Sequence, residues 1–68
     1  MTTMKIADGT KVEAAEASTH RIVLTYRPWA GWTVHTVRLG THDISDARPF
    51  HDDEAAARRY ANQLYQSR

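Results

Sequence analysis

The chain has 68 residues, no cysteine and a formal net charge of +1. That length makes a single domain over 1–68, and the absence of cysteine excludes disulfides and thiolate metal sites. No apolar run reaches the ~18 residues of a membrane span and no charged-then-apolar leader opens the chain, so a cytoplasmic protein with no membrane partner is the expectation.

Met1–Thr3 reads as a loose end. Asp8-Gly9 lies between short alternating runs, a hairpin signal because both turn residues need positive φ; it predicts a hairpin over 4–14 with Ile6 and Val12 on one face. Glu13–Ala17 also reads as the start of a helical turn. After the polar break Ser18-Thr19, His20–Tyr26 reads as a strand. Ile22, Leu24 and Tyr26 fall on one face; Arg21, Val23, Thr25 and Arg27 fall on the other.

A turn follows, Arg27-Pro28-Trp29-Ala30-Gly31, with Pro28 suited to its second position and Gly31 to a left-handed one. Trp32–Leu39 is the next strand. Its apolar residues change parity: Trp32 and Val34 share one face, Val37 and Leu39 the other. A bulge near His35-Thr36 would return both pairs to the core side; the alternative is a strand with apolar contacts on both faces. Gly40–Asp43 is turn-like, and Ile44–Phe50 is a last strand with Pro49 at its edge or end.

Asp52 is the predicted N-cap of a helix over 53–66, with Asp53 and Glu54 complementing its dipole. Ala57, Tyr60, Ala61 and Leu64 make its apolar stripe, with Ala56 and Tyr65 at the margins. Arg58, Arg59, Asn62, Gln63 and Gln66 face water. One striped helix must cover the strands of 20–50. The fold class is α+β: a three- to four-stranded antiparallel sheet, open to an extra N-terminal hairpin, covered on one face by a single C-terminal α-helix. Arg21, Val23, Thr25, Arg27, Thr33 and His35 would then look outward from the open face, and Arg38 would do so or not depending on the bulge.

Charge is uneven along the chain. Residues 1–16 carry net −1 and 43–68 net −1, whereas 17–42 hold Arg21, Arg27 and Arg38 with no acid, and His20, His35 and His42 besides. Such an island favours an anionic partner. The plain alternative is that these arginines keep an open sheet solvated and unpaired.

Roughly from residue 24 to 66 the chain resembles the ethylene-response-factor type of DNA-binding domain, whose fold is shared by arm-binding domains of phage integrases. The resemblance is carried by Arg27-Pro28-Trp29-x-x-Trp32, Arg38, Phe50 and Glu54-Ala55-Ala56-Ala57-Arg58-Arg59-Tyr60. It implies a three-stranded sheet with a packed helix, bound in the DNA major groove through Arg27, Trp29, Trp32 and Arg38. Thr25 stands where the family commonly has another arginine, and Arg48-Pro49 replaces a Leu-Gly pair. Trp32 is claimed both by that contact set and by the core pattern, leaving Trp29 as the tryptophan free to bind.

Catalytic and metal chemistry have little to work with. His35, His42 and His51 match no zinc spacing, and Asp52-Asp53-Glu54 is explained by a helix start. No cofactor or metal is expected, and no enzyme. The expected function is a small binding module contacting duplex DNA through the basic sheet face, as a phage or mobile-element type of regulator, with Arg21, Arg27, Trp29, His35 and Arg38 as the contact set. The alternative is a protein-binding inhibitor of the anti-CRISPR kind, by analogy of size and layout, with Trp29 as its anchor. A chain this short buries only about 60% of its unfolded surface, which makes a homodimer an available source of stability.

Overall fold

A computed structural model describes residues 2–5, as backbone, and 8–68. Among these, β1 (Thr2–Lys5), β2 (Lys11–Glu16), β3 (His20–Arg27), β4 (Gly31–Arg38) and β5 (Ile44–His51) precede a single helix, α1 (Glu54–Ser67). The strands form one antiparallel sheet in chain order. The α+β class and the one-helix cover agree with the sequence. The N-terminal hairpin is a full part of the sheet: Met4 lies opposite Val12, and β2 pairs with β3 from Lys11↔Tyr26 to Glu16↔Arg21. Glu13–Glu16 is therefore strand, not the helical turn offered as an alternative. β1 begins at Thr2, where a loose end was expected. Met1 and the face of Ile6 lie outside the described residues.

The core follows from strand alternation. Ile22, Leu24, Trp32 and Val34 are buried on one face and meet Ala57, Ala61 and Leu64 of α1. Ala57 and Ala61 carry only methyl groups, which lets the helix lie close on the sheet. Tyr26 stacks against Trp32 (ring centroids 4.9 Å apart), and Phe50 against Tyr60 (5.4 Å). Each such pair contributes about 0.5–1.5 kcal/mol beyond its buried area.

The helix is capped by Asp53, not Asp52. Its carboxylate accepts the Ala56 N–H at 3.0 Å. A turn in which the Asp53 N–H reaches the Phe50 carbonyl (2.9 Å), with His51 at φ +50°, delays the helix by one residue. Arg58 does not simply face water. Its guanidinium lies over the Trp32 ring (5.5 Å) and donates twice to Glu13 of β2 and once to Glu54. It thus ties the helix to the second strand.

The predicted bulge is displaced by one strand. β4 pairs with β3 in unbroken register from His20↔Arg38 to Arg27↔Gly31; the irregularities lie between β4 and β5. There Asp46 adopts φ +56° and becomes a polar node. Its carboxylate accepts from Arg68 at 2.8 and 2.9 Å and from the buried Thr36 hydroxyl at 3.0 Å, and its carbonyl accepts from the Tyr60 hydroxyl at 3.1 Å. The Arg68 hydrogen bonds, foremost, hold its pKa below the usual carboxylate value, against its own desolvation. Val37 consequently stays on the face away from the helix, as in the two-faced alternative.

Candidate functional site

Among the described residues, nothing packs on the sheet face opposite the helix. Register places Val12, Ala14 and Glu16 of β2, Arg21, Val23, Thr25 and Arg27 of β3, Thr33, His35 and Val37 of β4, and Pro49 and Ile44 of β5 on it. Its middle is uncharged. Val12, Ala14, Val23, Thr33, His35 and Val37 are half-buried by their neighbours, and Thr25 is buried, whereas Ile44 is 64% exposed. A shallow hollow of about 290 Å³ lies between β4 and β5, with Thr33, His35, Ile44, Ala47 and Pro49 in its wall. The β5 edge beside it is blunted by Pro49, which has no N–H to offer, and by the irregular register around Asp46. Contact is therefore easier on the face than along that edge.

At one end of this face stands the β3–β4 turn. The Ala30 N–H donates to the Arg27 carbonyl at 3.0 Å, so Pro28 and Trp29 occupy the turn's middle positions. Gly31 follows at φ +82°; a Cβ there would collide with the backbone of His51, whose carbonyl carbon would lie 2.6 Å away. This three-residue loop closed by a left-handed glycine is a common hairpin solution. It pushes Trp29 outward to 67% exposure, while Trp32 is only 7% exposed beneath the helix. Of the contacts that the family resemblance implies, Trp32 is thus spent on the core.

The five residues singled out in the sequence do not form one basic patch. Arg27 is exposed at the turn and has no ion-pair partner among the described residues. His35 sits mid-face. Burial, and secondarily the charge of Arg27, lowers its pKa from 6.5, so it favours the neutral ring. Arg21 lies toward the opposite end of the face and is paired with Glu16 at 2.8 Å. Arg38 has the parity of Trp32, Val34 and Thr36 and so leaves β4 toward the helix side. It meets Arg21 only past the strand ends, where both line a separate cavity with His42.

Ile44 was missed as a surface-forming residue; Val37 lies on this face as the two-faced alternative for β4 had it, whereas the bulge inside β4 would have taken it to the core. Ile44 opens β5, and nothing local distinguishes a core-facing first residue from an outward one.

No described helix is long and apolar enough to cross a membrane. Comparison with protein-family models, curated proteins and solved structures finds no match for this chain.

Proposed function

We propose that the chain is a non-enzymatic binding module that docks on a protein partner through its open sheet face, acting as a stoichiometric inhibitor or regulator. The observation that carries this reading is the make-up of that face. Val12, Ala14, Val23, Val37, Ile44 and Pro49 surround its threonines, Glu16 and Arg21 neutralise each other, and Arg27 is the charge left over. A protein surface offering an aliphatic side chain to the hollow beside Ile44 and a carboxylate to Arg27 complements it. Trp29 beside Arg27 adds the residue type most often found as an anchor of such contacts.

Duplex DNA, the leading expectation from the sequence, has less support. Arg38 leaves the sheet on the other side from Arg21 and Arg27. The strands of this sheet, in order β1 to β5, span about 19 Å at ~4.8 Å spacing. The major groove is only about 12 Å wide, so the face as a whole is wider than the groove.

The test is capture of a partner from the source cells, followed by calorimetry with both proteins purified. The expected result is a one-to-one complex weakened at least about tenfold by Ile44→Asp and by Trp29→Ala. Salt-sensitive retention of duplex DNA that Ile44→Asp leaves unchanged overturns the reading. A light-scattering mass of two copies that falls to one in Ile44→Asp also overturns it, by assigning the face to a second copy of the chain.

A further inference from the structure

At the end of the sheet away from the Trp29 turn, the β4–β5 loop folds into a hydrogen-bonded cup. The Thr41 N–H and hydroxyl both reach the Arg38 carbonyl, at 3.1 and 2.9 Å. The Thr41 hydroxyl oxygen also accepts the Asp43 N–H at 3.1 Å, and the Arg38 N–H closes onto the Asp43 carbonyl at 3.1 Å. The Leu39 N–H is tied to the Thr19 carbonyl at 3.0 Å. These bonds occupy the Arg38 and Asp43 carbonyls and the Thr41 hydroxyl. The Gly40 and His42 N–H groups find no acceptor among the described residues. Gly40, at φ +80°, has open space where a side chain would stand.

The cavity beside this loop has a volume of about 310 Å³ and is lined by Arg21, Arg38, Leu39, Gly40, Thr41 and His42, together with Val37. Its lining residues include two arginines and a histidine, and no acidic residue. The other arginines are mostly committed elsewhere. Arg58 and Arg68 grip carboxylates, and Arg48 lies over the rings of Phe50 and Tyr60. Arg38 is exposed and makes no ion pair among the described residues. Arg21 is held by one contact to Glu16, with the two side chains 50% and 60% exposed. Solvent screening makes such a pair weak enough to yield to a better-placed anion. A guanidinium carries five N–H donors, so Arg21 can accept an anion even while Glu16 stays near.

We propose that this cavity binds the phosphate group of a small phosphate ester, with Arg21 and Arg38 as the fork-shaped donors and His42 and the loop amides completing the shell. Guanidinium pairs suit tetrahedral oxyanions because two parallel N–H bonds can meet two oxygens at once. The volume, at the low end of the ~300–1,000 Å³ typical of small-molecule clefts, admits a phosphate with a short attached group rather than a large cofactor. Glu16 is paired with Arg21, and Asp43 follows His42 directly in the loop. This site does not rest on the docking face, and either can fail without the other.

The experiment is an amide NMR titration of the full chain at constant ionic strength, with inorganic phosphate, glycerol phosphate, chloride and a short duplex lacking terminal phosphates in separate arms. Phosphate and its ester should shift the Gly40, Thr41 and His42 amides saturably, and chloride should not. Arg38→Gln should weaken binding about tenfold, and Glu16→Gln, which releases Arg21, should strengthen it about threefold. Both positions are on the surface, and unchanged spectral dispersion verifies the fold. Shifts that do not saturate, that chloride reproduces, or that neither variant alters overturn the proposal. A duplex that moves the same amides at lower concentration than the ester overturns it in favour of a polymer backbone.

Discussion

The two faces of this sheet are made by the same strands, residue by residue, and they differ in almost every physical respect. Toward the helix, β3 and β4 place Ile22, Leu24, Trp32 and Val34, each at most 7% exposed. Away from it, the intervening positions are Val23, Thr25, Thr33, His35 and Val37, smaller or more polar and mostly half-buried. Alternation alone puts a side chain on a face; bulk and polarity then decide whether the face can close on a helix. The open face carries enough β-branched and apolar surface to favour contact, without the large side chains that would make it a second core. A covered face stabilises the chain, and an open one remains to be used by something else.

The sharpest way to break this contrast is to truncate one residue on each side. Leu24→Ala should cost about 2–5 kcal/mol in denaturant unfolding, as buried leucines do. Val23→Ala, on its half-covered neighbour, should cost under about 1 kcal/mol. Equal losses would mean that the open face is buried in solution. Gly31→Ala tests the turn that links the faces. Positive φ and the collision with the His51 backbone should destabilise by more than about 1 kcal/mol, visible as a lower denaturation midpoint at unchanged slope.

Arg58→Ala probes the helix cover itself. It removes a cation over Trp32 and a two-pronged contact to Glu13, whose side chain is only 14% exposed. A loss of roughly 1–2 kcal/mol with a shifted Trp32 emission is expected; no change would mean that Arg58 merely lies on the surface.

Two pH windows separate the faces further. Asp46 belongs to the helix side and has a folded pKa depressed below 3.8. Its contribution is complete above 3.8 and disappears as the pH falls through the lower folded value, because the unfolded chain takes up the proton first. Asp46→Asn should flatten part of that acid slope. Asp8, depressed by its bond from the Thr10 N–H, accounts for another part. His35 belongs to the open face and is depressed below 6.5. Stability should be full above 6.5 and decline as the pH falls toward its folded value, and His35→Gln should remove that decline. An NMR midpoint for His35 at or above 6.5 would mean that the face is better hydrated than its packing implies. The smallest effect is expected from Ile44→Asp, within about 0.5 kcal/mol of the parent, since Ile44 supports no described core contact.

Much of this fold was legible in order. The alternation of β3, the Pro28–Gly31 turn and the Ala57–Leu64 stripe each follow from a local rule that the tertiary structure did not override; the N-terminal hairpin forms around Gly9, at φ +93°, but its pairing begins at Lys5↔Lys11, farther out than a two-residue Asp8-Gly9 turn would set it. The candidate surface was less legible. The acid-free run from 17 to 42 suggested one basic patch, yet Arg38 and Arg21 leave adjacent strands with opposite parity. Arg58 looked like a solvated helix residue because nothing local announces that β2, forty-five positions earlier, brings Glu13 beneath it.

The sequence by itself determined the class of the fold and the identity of the buried face, because these depend on periodicity and turn chemistry within a few residues; the assignment of Trp32 to the core, left open between core and contact, came with the structure. Only the tertiary structure decided where the strand irregularity falls, which arginines share a cavity, and that the free face is uncharged at its centre. Those depend on register between strands and on contacts across the whole chain, where shifting the pairing by one residue exchanges the faces and no local pattern records the choice.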